Sequence, residues 1–225
     1  MTTHHPAVQP KPTLPLEVVS DYICPWCYIG KARLRKALDQ LGDTYPVALT
    51  FSPFQLNPQM PAEGLDRKAY RTTKFGSWEK SLAMDAAVVA AGQSEGLAFH
   101  YDKVLRTPNT FLAHRLTWYA GRSGKQEAVA TALFEAYFSE GLDIGDRDIL
   151  ASVAAACGLD RQLVTAFLVS NQGETAIHQL EQLNRARGIV SVPVLVMNRK
   201  GIAGAQPVEV FRGFILGQVN GYSHE

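Results

Sequence analysis

The stretch Leu16-Glu17-Val18-Val19-Ser20-Asp21-Tyr22-Ile23-Cys24-Pro25-Trp26-Cys27 decides how this chain reads. An apolar run of strand character ends at two cysteines three apart. An amphipathic run through Leu34, Ala37, Leu38 and Leu41 follows, stopped by Gly42. Residues i and i+3 share one face of a helix, so the two sulfurs can close a disulfide within the first turn. Unpaired N–H groups and the positive end of the dipole favour a thiolate at the first sulfur. Pro25 suits the first helical position, where no N–H is needed and its φ is already set. Cys24 is therefore the expected attacking thiolate, and Cys27, one turn deeper, the resolving thiol.

Outward from this junction, Val47 to Phe51 reads as a second strand ended by Pro53, and Asn57-Pro58 and Pro61 break the chain. From about Ala62 to Arg187 the pattern is helical. Expected helices cover Leu65 to Phe75, Trp78 to Gln93, a segment capped by Asn109, Lys125 to Ser139, segments capped by Asp146 and Asp160, and Glu174 to Ala186. Strand character returns at Val192 to Met197, and Asn198-Arg199-Lys200-Gly201 reads as a hairpin-like turn into Ile202-Ala203. A last helix runs from Pro207 to Val219. The order strand, helix, strand, helical excursion, strand, strand, helix predicts an α/β chain, a thioredoxin-like fold with a large inserted α-helical domain. Residues 14–61 and 188–221 supply the thioredoxin-like domain, residues 62–187 the insertion, and residues 1–13 a disordered lead-in.

Composition narrows the function. Charged residues make up 19% of the 225 and the formal net charge is +1, without a block of like charge. A nucleic-acid partner needs a concentrated basic face, so none is expected. No apolar run approaches the roughly 20 residues that span a bilayer, so no membrane partner is expected either. Met1 to Pro15 is polar, carries four prolines and lacks the basic and apolar regions of a secretory signal, which points to the cytoplasm. Three cysteines are too few for a disulfide scaffold, and in a reducing compartment a close-spaced pair is catalytic or metal-binding. Tetrahedral zinc wants four ligands and there is no second close pair, so no metal is expected. Cys157, at helical spacing after Leu150, Val153 and Ala154, reads as a small buried apolar side chain.

Ser191-Val192-Pro193 is the second element of the proposed chemistry. Proline removes a ladder hydrogen bond and belongs at a strand start or bulge. In a thioredoxin-like order this position holds a cis-proline facing the cysteines, which frees the backbone of Val192 to pair with an extended substrate beside Cys24. Trp26 offers either a flat apolar platform for a substrate or a contact between domains. Phe54 and Asn57, past the second strand, either line the groove or serve the turns around Pro53 and Pro58. His114 either steadies a thiolate or binds a substrate carboxylate, or simply hydrogen-bonds within the domain.

The matching stretches Ser20 to Gly30, Pro53 to Pro58, Asn109-Thr110-Phe111 with Ala113 to Leu116, Ala136-Tyr137-Phe138, Val192-Pro193 and Gly204-Ala205-Gln206 make the chain resemble the DsbA-like branch of the thioredoxin superfamily. Within it, the chain looks like the FrnE subfamily of disulfide oxidoreductases. The resemblance implies dithiol–disulfide exchange at Cys24 and Cys27, with disulfide-containing proteins or peptides, or low-molecular-weight thiols, as partners. It implies no cofactor beyond the redox-active pair, with glutathione as a candidate co-substrate. The same broader family contains 2-hydroxychromene-2-carboxylate isomerases and kappa-class glutathione transferases. Those place serine where this chain has Cys24, so a glutathione-dependent isomerase or transferase is the competing expectation. Some FrnE-like proteins carry a second cysteine pair near the C-terminus; no cysteine follows Cys157 here. Trp26 stands where an imidazole would have steadied the thiolate, and Asp21 opposes ionisation if it lies close, so the expected direction is reductase or isomerase.

Overall fold

A computed structural model of the chain describes residues 13–222, so the expected lead-in lies, apart from Thr13, outside the described residues. The described elements are β1 (Leu14–Ser20), α1 (Pro25–Leu41), β2 (Val47–Pro53), β3 (Leu65–Asp66), α2 (Arg67–Phe75), α3 (Trp78–Gln93), β4 (Arg106–Thr107), α4 (Phe111–Gly121), α5 (Gln126–Phe138), α6 (Arg147–Ala156), α7 (Arg161–Val169), α8 (Glu174–Ala186), β5 (Val194–Met197), β6 (Lys200–Ala203) and α9 (Val208–Tyr222). This is the expected thioredoxin-like order with its long helical excursion. A four-stranded sheet runs β2-β1-β5-β6, and β3 and β4 form a separate two-residue ladder.

The sheet sorts its side chains by the two-residue period of a strand. Leu14, Leu16 and Val18 of β1, with Leu195 and Met197 of β5, join the main core with Leu34, Ala37 and Leu38 of α1 and Phe211 and Ile215 of α9. Val19 and Val194 point the other way, into a small cluster with Ile189. β1 pairs parallel with β2, Leu16 opposite Leu49, and antiparallel with β5, Val19 opposite Val194. Asn198 and Arg199 turn β5 into β6 with φ of 53° and 64°, the left-handed pair that a two-residue hairpin turn requires.

The same core continues into the excursion through Leu116, Leu133, Phe134, Leu150 and Leu168. Asp146 and Asp160 cap α6 and α7 through their carboxylates, as expected. Three ties fix the helical excursion to β2 and the residues just past it. Gln126 of α5 brackets the Phe51 backbone, accepting from its N–H at 3.0 Å and donating to its carbonyl at 3.2 Å. Asn184 of α8 donates to Ser52 Oγ and the Pro53 carbonyl. Glu181 accepts from the Gln55 amide at 2.9 Å.

Four readings are corrected. The late strand starts at Val194, not Val192: pairing with β1 begins there, while the Pro193 carbonyl accepts instead from Gly204 N–H. Leu65 and Asp66 are a two-residue strand and the helix begins at Arg67, because Asp66 caps it by accepting from Ala69 N–H. The cap position of α4 is Thr110, although the Asn109 carboxamide still accepts from Phe111 N–H. Cys157 is partly exposed, because it is the C-cap of α6 and lies beyond that helix's buried face.

Candidate active site

The site is assembled at the break between β1 and α1. Asp21-Tyr22-Ile23 turns the chain, and Cys24 N–H donates to the Asp21 carbonyl at 3.1 Å. Cys24 is the N-cap of α1 in extended conformation, with Pro25 as first helical residue. Its carbonyl accepts the first helical bond, from Cys27 N–H at 3.0 Å. Cys24 thus occupies the helix-start position that favours a thiolate, although its sulfur makes no capping hydrogen bond to the first-turn N–H groups. Both thiols are free; Cys24 is 5% exposed and Cys27 1%.

Burial pushes the Cys27 thiol well above its ordinary value, and its hydrogen bond and charge interaction with Cys24 push it further. The carboxylate of Asp21 adds to the rise, while a backbone hydrogen bond from the same residue opposes it. Cys27 is thus held as a thiol, and the nucleophile's role falls to Cys24, the less buried of the two.

The opposite wall is the Val192–Pro193 segment. The peptide between them is cis, and the Cys24 thiol donates to the Val192 carbonyl at 3.7 Å. Pro193 is buried against α1. A Cβ built on Gly30 would lie 3.2 Å from Pro193 Cγ and 3.5 Å from the Ala205 backbone, so glycine lets the helix approach this closely. Arg33, one turn on, donates to the Ala205 carbonyl at 2.6 Å and pairs with Glu95. Glu95 also receives Lys36 at 2.7 Å. Burial raises the Glu95 carboxyl, but Lys36 and Arg33 outweigh it and hold the group below the usual carboxylate range.

Six of the predicted residues come together: Cys24 at the N-cap of α1 and Pro25, Trp26 and Cys27 in its first turn, facing Val192 and Pro193. Trp26 is 42% exposed, a surface apolar group beside the thiols, and Val190 and Leu56 are exposed apolar side chains in the flanking loops. The remaining three serve elsewhere. Phe54 packs on the far face of the sheet with Val19, Ile189 and Val194. The Asn57 carboxamide accepts from Tyr70 Oη at 2.5 Å and Lys74 Nζ at 3.0 Å, tying its turn to α2. His114 is corrected as a substrate contact. It is 4% exposed, beneath Tyr22, whose ring centroid lies 5.0 Å away, and its Nε2 is 3.3 Å from Asp21 Oδ1. Tyr22 completes this layer by sharing a 2.6 Å hydrogen bond with Thr117 Oγ1.

Sequence reasoning missed Gly30 and the meeting of Asp21 with His114. A glycine inside a helical pattern was a signal for the first; for the second no local signal existed. Among the described residues no group of three or more His, Cys, Asp or Glu side chains could hold a metal ion, and no helix is long and apolar enough to cross a membrane.

Comparison with known proteins follows the same lines. A family model described as the DSBA-like thioredoxin domain matches residues 15–216. The crystal structure of a probable DsbA oxidoreductase from Streptomyces coelicolor is 30% identical in sequence. It superposes with a TM-score of 0.84, covering 92% of this chain and 90% of that one. An uncharacterized protein of Bacillus subtilis, YwbO, is 29% identical over 200 residues, 88% of this chain and 94% of its own length. The cytosolic disulfide reductase DsbM of Pseudomonas aeruginosa, solved with GSH, is 17% identical with a TM-score of 0.64, covering 92% of this chain and all of that one; it shares the fold.

Proposed function

From the membership of this chain in the DSBA-like thioredoxin domain family, we propose that it exchanges disulfides through Cys24 and Cys27, working as a reductase or isomerase in the cytoplasm. The observation that carries this reading is the pairing of Cys24, at the N-cap position of α1 with its thiol against the Val192 carbonyl, with a buried Cys27 held as a thiol.

In the first step the Cys24 thiolate attacks one sulfur of a substrate disulfide, and the other leaves with the electron pair. In the second, Cys27 loses its proton and attacks Cys24, expelling the substrate sulfur and leaving a Cys24–Cys27 disulfide. An external thiol restores the dithiol. Substrates are disulfide-bearing proteins or peptides that lie along Val192 and against Trp26, or small thiols and disulfides. Glutathione is the low-molecular-weight candidate, because the related fold of DsbM was solved with GSH. The reducing lean rests on the lack of a cation in the Pro25-Trp26 dipeptide and on Asp21, which disfavours thiolate at the pair.

Insulin reduction driven by dithiothreitol tests this. Turnover should be lost in both Cys24→Ser and Cys27→Ser, with Cys27→Ser trapping a mixed disulfide. Full turnover by Cys27→Ser with none by Cys24→Ser would favour a glutathione-dependent isomerase or transferase. A redox titration then sets direction: a potential near about −270 mV supports a reductant, one near about −120 mV an oxidant.

A further inference from the structure

The face of the sheet turned away from α1 and α9 is only half covered. One row, Ser52, Val19 and Val194, is buried with Phe54, Ile189 and Asn184 of α8. The next row, Thr50, Glu17, Val196 and Gly201, pairs in register across all four strands and shares that face. Helix α8 ends at Ala186, and Arg187 reaches back to Glu17 at 2.7 Å. What stays open over this row is a cavity of about 620 Å³, walled also by Ile189, Val194, Arg187 and Arg199. Small-molecule sites span about 300–1,000 Å³. None of its lining residues belongs to the thiol site.

Two residues of its rim are not those the backbone alone would select. Gly201 is a strand residue without a left-handed φ. A Cβ there would meet Val194 Cγ1 at 3.4 Å, the Leu195 carbonyl at 3.8 Å and Val196 Cγ2 at 4.0 Å, all ordinary contacts. The fold therefore has room for a side chain, and glycine instead leaves the two valines bare; such a strand glycine marks close approach by another group. Arg199 is the opposite case. It takes φ of 64° in the two-residue turn, where glycine is favoured, so an arginine costs conformational energy that glycine would not. Arg199 is exposed and has no hydrogen bond or ion pair among the described residues. The charged residues of the lining are Glu17, Arg187 and Arg199. The first two neutralise each other, which leaves one uncompensated positive charge above an apolar floor.

We propose that this cavity is a binding site for an apolar monocarboxylate, whose carboxylate pairs with Arg199 and whose hydrocarbon part lies on Val194 and Val196 in the space beside Gly201. A guanidinium takes a carboxylate through two parallel N–H···O bonds, which fix the orientation of the acid. A single negative charge matches the one unpaired cation of the lining, whereas a second would face Glu17. Binding is reversible and involves neither thiol, so the site stands whether or not the chain exchanges disulfides.

Titrating the isotope-labelled full-length protein with octanoate, followed by amide NMR, tests this. Shifts should centre on Glu17, Val196 and Gly201, saturate at one acid per chain, and spare Cys24 to Cys27. Hexanoate should bind roughly tenfold more weakly, since each buried methylene is worth about fourfold. Octanol, with the same chain and no charge, should bind at least about fivefold more weakly than octanoate. Arg199→Gly suits the turn and keeps the fold, and should bind octanoate no tighter than octanol. Gly201→Val should abolish binding of both, with an unchanged amide spectrum elsewhere showing that it folds. No binding by the wild-type protein, shifts centred on Trp26, or an unchanged octanoate affinity in Arg199→Gly overturns the proposal. So does a wild-type dimer that Gly201→Val dissociates, which would make this face a contact between copies of the chain.

Discussion

Two buried carboxylates in this molecule are treated in opposite ways. Asp85 of α3 is clasped by Arg67 at 2.6 Å and Arg71 at 2.8 Å, one guanidinium to each oxygen, and the Arg67 guanidinium lies over the Tyr101 ring at 4.7 Å. Asp21 has one oxygen bonded and the other poised by an imidazole without a true hydrogen bond. The first arrangement holds α2 to α3 and leaves nothing free to react. The second leaves one buried oxygen unbonded beside His114. Saturated bonding marks a joint, and incomplete bonding at the same depth leaves desolvation uncompensated.

Substituting each carboxylate tests this contrast. Asp85→Ala leaves the buried Arg67 charge unpaired and should cost about 3–5 kcal/mol, read as a lowered urea midpoint, with early amide exchange in α2 and α3. Glu95 is an intermediate case at the rim, bonded by two cations, one of them half exposed. Glu95→Gln should cost about 1 kcal/mol. Its folded value is depressed, so its contribution is complete above the unfolded carboxylate value of about 4.3 and disappears as pH falls through the lower folded value. Wild-type protein should therefore lose more stability than Glu95→Gln on acidification below about pH 4.3. The smallest effect belongs to Asp21→Asn. Its carboxamide oxygen can still accept from Leu56, so the urea midpoint should correspond to a change within about 1 kcal/mol, in either direction. A loss as large as that of Asp85→Ala would make Asp21 a joint and dissolve the comparison.

What the sequence disclosed and what it hid follows from the range of the interactions. Cys24, Pro25 and Cys27 act through a single helical turn, so their spacing alone placed them at the N-terminus of α1. Asp146 and Asp160 were legible for the same reason, each bonding an amide two or three residues on. Val192 and Pro193 could be set against Cys24 because the order of strands and helices brings β5 beside β1. The Asp21–His114 meeting depends on how α4 packs under the sheet, and no spacing encodes that. Nothing in the sequence singled out the Arg67–Asp85 pair, since a helical pattern does not distinguish a hydrated ion from one paired inside. The ladder of β3 with β4 is too short for any alternation to reveal it. Asn57, Phe54 and His114 stood close to the motif in sequence or family pattern, yet packing gave two of them structural partners and buried the third.

The sheet order also has a consequence for biosynthesis. β1 and β2 can associate early, but β5, which directly follows the Val192–Pro193 wall opposite Cys24, is the third strand of the sheet and comes from the last fifth of the chain. On the ribosome, the dithiol emerges long before Val192 and Pro193 exist to shield it. Throughout that interval a nascent chain presents unguarded thiols to whatever oxidant is nearby, and only completion of translation closes the window.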